Sequence, residues 1–275
     1  MCIAAIAWQS SAGRPLVIVS NRDEYYNRPT AAARFWPGTD ILAGRDLAIE
    51  EPSTWLGITR QGRFALLTNV RKPSEARPHA LSRGPLVARF LAGSCSPQHY
   101  LDTLLEKAGR YNGFNLLVGT IANEQQTSEC WFLHSKEPAA RRLQPGIYGL
   151  SNASLDTAWP KVQRLVGSFT LELMQRMTPH RLLSVLQDDT PACWDTLPQT
   201  GVSAQWERAL SPIFIKTERY GTRSSTLIDV SGKKVNFMER RWKQTLPKEK
   251  LSNTPFQDSV FTFTLTTTLY PHQPA

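Results

Sequence analysis

The 275-residue chain lacks any apolar run approaching the roughly eighteen residues a membrane helix needs, so no transmembrane segment is expected. Its first residues are apolar, but no basic stretch precedes them and no small-residue cleavage site follows, which argues against a secretory signal. Cysteine is scarce: Cys2, Cys95, Cys130 and Cys193, without a C-x-x-C pair. That spacing suits neither a disulfide framework nor zinc. Free thiols fit a reducing compartment, and a cytoplasmic location is expected. The histidines (His79, His99, His134, His180 and His272) show no ligand spacing, so no metal site is expected. Repeats, heptads and low-complexity tracts are missing as well. At 41% hydrophobic and 20% charged residues the composition is that of an ordinary globular protein, and its length suits a single domain over 1–275.

What the chain does have is positive charge, a formal +9. Such a balance favours anionic partners: nucleic acid, phosphorylated cofactors, carboxylates or an acidic membrane surface. No basic run interleaved with aromatics and no nucleic-acid module appears, so nucleic acid is not the expected partner. A solvated basic surface accounts for most of these charges.

Residues 2–8 and 15–20 read as two strands joined by "SSAGR", and both are apolar on both faces, as in a sheet covered on each side. A second hairpin follows in "TWLGIT", "RQGR" and "FALLTNV". Helices are expected at "SPQHYLDTLLEKAG", capped by Ser96 and stopped by Gly109, and at "TPHRLLSVLQDD", opened by Thr178 and Pro179. A third is expected from near Ser154 through "ASLDTAWPKVQRLVGSF". Strands return at "FNLLVGTI", "ECWFLH", "GIYGL", "PIFIK", "STLIDV", "VNFMERRW" and "VFTFTLTT", with a loop at "TLPKEKLSNTP". This order is not βαβ alternation; it fits antiparallel sheets with helices packed outside. Trp8, Trp55, Trp131 and Trp242 read as core, and Trp36, before a turn, as the border of a pocket.

The opening "MCIA" places a thiol beside the chain's end. Once Met1 is clipped, Cys2 carries both a thiol and the free α-amine, a nucleophile with a built-in base. A hairpin turn near residues 12 and 13 brings Cys2 opposite residue 23, at "SNRDE", where Arg22 and Asp23 meet it. The arginine favours the thiolate, and the aspartate holds the amine while it shuttles a proton. An ordinary Arg–Asp pair at a strand end is the alternative.

The segments "MCIA" and "NRDE" (Asn21–Glu24) resemble the NRDE family, also called the transport and Golgi organisation 2 (Tango2) family. "WLGITRQGRFALLTNVR", "GFNLLVG", "YGLSNA", "ERALSPIFI" and "YGTRSST" match in family order and span nearly the whole chain. That family resembles the N-terminal nucleophile (Ntn) hydrolases, which implies an α+β fold, an αββα sandwich of two antiparallel sheets between helical layers. The nearer analogy is the cholylglycine hydrolase and penicillin V acylase group, which cleaves linear amides with an N-terminal cysteine. The resemblance implies Cys2 as nucleophile, Arg22 beside it and Asp23 on the amine, although the two are further apart in that group. It also implies Asn69 and Asn152 as site-lining amides, with turn chemistry as their alternative. Arg223 matches a late arginine near the nucleophile, with a structural arginine as the rival account.

Two functions are implied. One is hydrolysis of a linear amide or thioester, which requires no cofactor. The other is binding and trafficking of haem or acyl-coenzyme A (acyl-CoA) in the same pocket without turnover. Either partner is a small ligand with an apolar body and anionic groups, which Arg22 and Arg223 would suit.

Overall fold

The computed structural model describes residues 2–122, 127–175, 178–243 and 256–266. The chain opens with a long hairpin, β1 (Cys2–Ser11) and β2 (Arg14–Tyr25), turned at Gly13 with a φ of 72°. A seven-stranded antiparallel sheet follows in simple sequence order: β3 (Thr30–Phe35), β4 (Ile41–Asp46), β5 (Leu56–Thr59), β6 (Arg63–Asn69), β7 (Phe114–Thr120), β8 (Glu129–His134) and β9 (Arg141–Arg142). The chain then returns to the first hairpin with β10 (Gly146–Leu150), β11 (Tyr220–Ser231), β12 (Lys234–Trp242) and β13 (Phe256–Thr264). The resulting six-stranded sheet has the order β10-β1-β2-β11-β12-β13. β1 and β2 therefore lie inside their sheet.

Strand periodicity explains why both faces of the first hairpin are apolar. Ala4, Ile6, Trp8, Leu16 and Ile18 turn into the layer between the sheets, where they meet Leu42, Ile58, Phe64, Leu66 and Phe132. Ile3, Ala5, Ala7, Val17 and Val19 turn the other way, against Val162, Leu165 and Phe169 of α3 (Pro160–Met174) and Leu182 and Leu183 of α4 (Pro179–Ser184). The outer face of the second sheet is covered by α1 (Gly84–Ala92) and α2 (Pro97–Leu105) through Leu86, Phe90, Leu101 and Leu104. The protein is thus an αββα sandwich of two antiparallel sheets between helical layers, as expected. Among the described residues no helix is long and apolar enough to cross a membrane.

Ser96 caps α2 by accepting from the His99 amide, as its position before Pro97 predicts. Several elements differ from expectation. α3 begins at Pro160 rather than near Ser154, because proline suits a first helical turn and not its interior. α2 ends at Leu105, ahead of Gly109, and a separate 3-10 turn spans Ala108–Arg110. "PIFIK" forms no strand: the Phe214 amide bonds the Asp188 carbonyl and the Ile215 amide bonds the Thr222 hydroxyl. α1 and α5 (Ala204–Ala209), β3 and β4 have no counterpart in the sequence reading. The segment expected as a loop near residues 245–255 lies outside the described residues, as does Met1.

Candidate active site

The first hairpin brings the leading residues together, with a one-residue difference from the expected register. Ser11 faces Arg14 beside the turn, but Trp8 faces Leu16, so two residues of β1 oppose one of β2. Gln9 sits in this bulge with a φ of 46°. Beyond it Cys2 pairs with Arg22, not with residue 23. Paired residues share a face, so Cys2 and Arg22 both belong to the layer between the sheets, while Asp23 belongs to the α3 side.

Arg22 spans the gap between the sheets. Its guanidinium lies 4.4 Å from the centroid of the Trp55 ring and donates to Asp46 Oδ2 at 3.1 Å and Thr30 Oγ1 at 3.2 Å. Asp46 also receives Arg28 at 2.7 Å. The carboxylate of Asp46 is therefore shared by two arginines, and Arg22 is held in one orientation with its donors engaged. Asp23 is fully buried: its Oδ1 accepts from the Thr222 hydroxyl at 2.7 Å, and its carbonyl accepts from the Tyr220 hydroxyl at 2.9 Å.

Behind Asp23 lies a buried polar layer absent from the sequence reading. Lys161, at the start of α3, is 2% exposed and donates to the Leu210 carbonyl at 3.0 Å. Arg71 pairs with Glu207 at 3.1 Å, both sides buried, and its guanidinium stacks 4.6 Å from Trp159. Burial pushes the Asp23 carboxyl up, and Lys161 is the strongest influence holding it down. Burial lowers the Lys161 ammonium to about 8, with Arg71 pushing the same way and Asp23 and Cys2 opposing. Each charge thus makes the other's burial tolerable.

The Cys2 thiol is raised by burial; Asp23 adds to that, and Arg22 with a hydrogen bond from the Asp23 amide opposes it. The expectation that Arg22 favours the thiolate holds for its own contribution, but burial outweighs it.

Cys2, Arg22, Asp23 and Asn69 line one cavity of about 220 Å³ at the end of the two sheets, together with Glu24, Arg28, Asp46, Trp55 and Arg83. Asn152 is elsewhere. It sits one layer back, 1% exposed, where its amide donates to the Asn69 carbonyl at 2.8 Å and its carbonyl accepts the Arg71 amide. Neighbouring Ser151 donates to the Cys2 carbonyl at 3.2 Å. Asn152 therefore ties the end of β6 to the loop after β10 and does not line the cavity. Arg223 does not line it either. It is the extra residue of a bulge in β11, between Thr222 opposite Asp23 and Ser224 opposite Arg22. The bulge turns its guanidinium to the Tyr25 and Arg28 carbonyls, at 2.8 and 3.1 Å, beside a separate cavity of about 20 Å³. Trp36 is buried in the outer layer, its indole N–H on the Ala43 carbonyl. Trp55 lies in the core, as expected, and also borders the cavity.

The family model described as Transport and Golgi organisation 2 matches residues 1–244. The chain belongs to that family. It is 35% identical over 263 residues to the Transport and Golgi organization protein 2 homolog of Bos taurus, covering 86% of this chain and 93% of the relative. The Homo sapiens homolog is 33% identical over 238 residues, covering 82% and 86%. Among solved structures, a mutant of the conjugated bile acid hydrolase from Clostridium perfringens covers 99% of both chains at a TM-score of 0.50. At 8% identity that likeness concerns the fold alone.

Proposed function

We propose that this family member is a hydrolase of linear amides or thioesters, with Cys2 as its nucleophile. One observation carries the reading: Cys2 lies at a strand end beside a cavity, paired with Arg22 and sharing the cavity wall with Asp23 and Asn69. The fold shared with a bile acid hydrolase supports it. In the proposed reaction, removal of Met1 frees the Cys2 α-amine. The Cys2 sulfur attacks the substrate carbonyl carbon while the amine takes the thiol proton. The C–N or C–S bond then breaks, and the proton passes to the leaving amine or thiolate. Water adds to the acyl-cysteine, giving the carboxylic acid and restoring the thiol. Asn69, which lines the cavity, serves the developing oxyanion with its amide, and Asn152 positions it through its bond to the Asn69 carbonyl. Arg22 orients the site; Asp23 holds the amine.

A second reading keeps the same pocket for haem or acyl-CoA and removes the turnover. The observation favouring it is burial of Cys2, which raises the thiol and opposes nucleophile formation. Cys2→Ala separates the two. As a hydrolase, the parent should release product from a panel of N-acyl amides and acyl thioesters, with an acylated Cys2 visible by mass spectrometry. The variant should lose at least about 10³-fold in rate while still binding. Intact mass reports whether Met1 is gone. A parent without turnover on any of the panel, binding haem or acyl-CoA as tightly as Cys2→Ala does, would establish the trafficking reading instead.

A further inference from the structure

The basic residues suggested by sequence for an anionic ligand, Arg22 and Arg223, are both engaged elsewhere. Arg22 is held by Asp46, Thr30 and the Trp55 ring, and Arg223 by two backbone carbonyls outside the cavity. Arg28 shares Asp46 and approaches Glu24 at 3.8 Å. That leaves Arg83. Its guanidinium lines the Cys2 cavity, donates to the Gly113 carbonyl at 2.9 Å and forms no ion pair among the described residues. The wall sets three arginines, Arg22, Arg28 and Arg83, against three carboxylates, Asp23, Glu24 and Asp46. Arg22 and Arg28 take Asp46, Asp23 accepts from Thr222 beside Lys161, and Glu24, 3.8 Å from Arg28, makes no ion pair with Arg83.

Its backbone adds to this. Arg83 is the residue before α1, and no side chain caps that helix start, so the positive end of the helix dipole lies on the same edge of the cavity. Gly84 makes the edge close: a Cβ there would meet the Ser53 hydroxyl at 1.7 Å, so the helix start is pressed against the loop before β5. One guanidinium nitrogen is held by Gly113, which fixes the plane and leaves the other donors for a planar or tetrahedral oxyanion.

We infer that Arg83 is the specificity-determining residue of the pocket, binding a carboxylate, sulfonate or phosphate group of the ligand while its acyl carbon lies at Cys2. This rests on the reading of Cys2 as the reacting residue, and it assigns the charged part of the ligand to the α1 side of the cavity.

Alkylation of Cys2 tests it without requiring turnover, so a protein that never hydrolyses anything can still support it. The rate at Cys2, followed by peptide mass spectrometry, is compared for iodoacetate, which carries a carboxylate, and iodoacetamide, which does not. Arg83→Gln should lower the iodoacetate-to-iodoacetamide ratio by about tenfold, the loss of one charge-assisted bond; any change in the Cys2 thiolate fraction acts on both reagents and divides out of the ratio. Arg83→Lys should restore part of the ratio. Arg89→Gln, which removes an exposed charge of the same helix, should leave it unchanged. In the parent, inorganic phosphate should slow iodoacetate alkylation saturably at constant ionic strength, a readout that needs no variant. An unchanged ratio in Arg83→Gln, an equal fall in Arg89→Gln, or no protection by phosphate would overturn the assignment.

Discussion

Cys2 and Cys130 are both strand cysteines buried in the layer between the sheets, one in each sheet, and burial pushes both thiols up. They differ in what surrounds them. Cys130 sits within β8 opposite Gly119, in a wall of Phe64, Leu117, Phe132 and Leu143, and the one charged influence on it, Glu129, raises it further. Cys2 sits at a strand end, opposite an arginine, above a buried lysine–aspartate layer and beside a cavity. Burial alone makes an inert thiol. A nucleophile needs, in addition, cations that oppose the burial and an open side for the substrate.

The largest consequence is in accessibility. With a neutral alkylating reagent, Cys130 should react only through opening of the second sheet, at least about 10³ times more slowly than Cys2. Peptide-resolved labelling over time measures both in one sample. Comparable rates would mean that the wall around Cys130 opens freely, and the contrast between the two sites would collapse.

Next is Lys161, which has no equivalent near Cys130. Its ammonium is lowered by burial to about 8, against the usual 10.5. Below pH 8 it is protonated in both folded and unfolded chains. Between about 8 and 10.5 only the unfolded chain keeps the proton, so stability rises with pH through that window relative to a chain lacking the group. At about 1.4 kcal/mol per pKa unit the gain approaches 3 kcal/mol. Denaturant titrations of Cys2→Ala and Cys2→Ala/Lys161→Met from pH 7 to 10 keep the Cys2 thiol from titrating in the same range. The stability difference should move in favour of the lysine protein as pH rises. A difference that stays flat means Lys161 is not held in this buried layer.

The contrast between the two cysteines was partly legible in the sequence. Local signals carried the first hairpin: apolar runs on both sides of a Ser/Gly turn placed Cys2 near Arg22 and Asp23. The exact partner was not legible, because the bulge at Gln9 has no proline or glycine to announce it. Asn69 could be read at the end of a strand. The chain cannot show that Asn152 spends its amide on the Asn69 carbonyl 83 residues away, or that a bulge turns Arg223 outward. α1 escaped because its start, Arg83–Gly84–Pro85, lacks a Ser, Thr, Asp or Asn cap. With it went Arg83, whose partner Gly113 is thirty residues further on. Lys161 read as one more helix residue. Only packing of α3 on the first sheet makes it a buried charge beside Asp23.

The smallest expected effect concerns Arg22, the residue that most plainly separates Cys2 from Cys130. Its charge opposes the rise of the Cys2 thiol. Arg22→Ala should therefore raise that thiol further and slow alkylation by iodoacetamide near pH 8, because a smaller fraction of Cys2 is thiolate. Asp46 keeps Arg28 at 2.7 Å, so the variant does not strand a carboxylate and should remain folded. Arg22→Lys preserves the charge but loses the flat guanidinium that lies over Trp55 while bonding Asp46 and Thr30. If charge is what matters, the lysine variant should label nearly as the parent does; if orientation matters, it should fall towards the alanine variant. The rate at Cys130 should not move in either, because Arg22 is not among the charges that act on it. A Cys2 rate untouched by Arg22→Ala would place the two cysteines in the same class, as buried thiols that differ only in how far each lies from the surface.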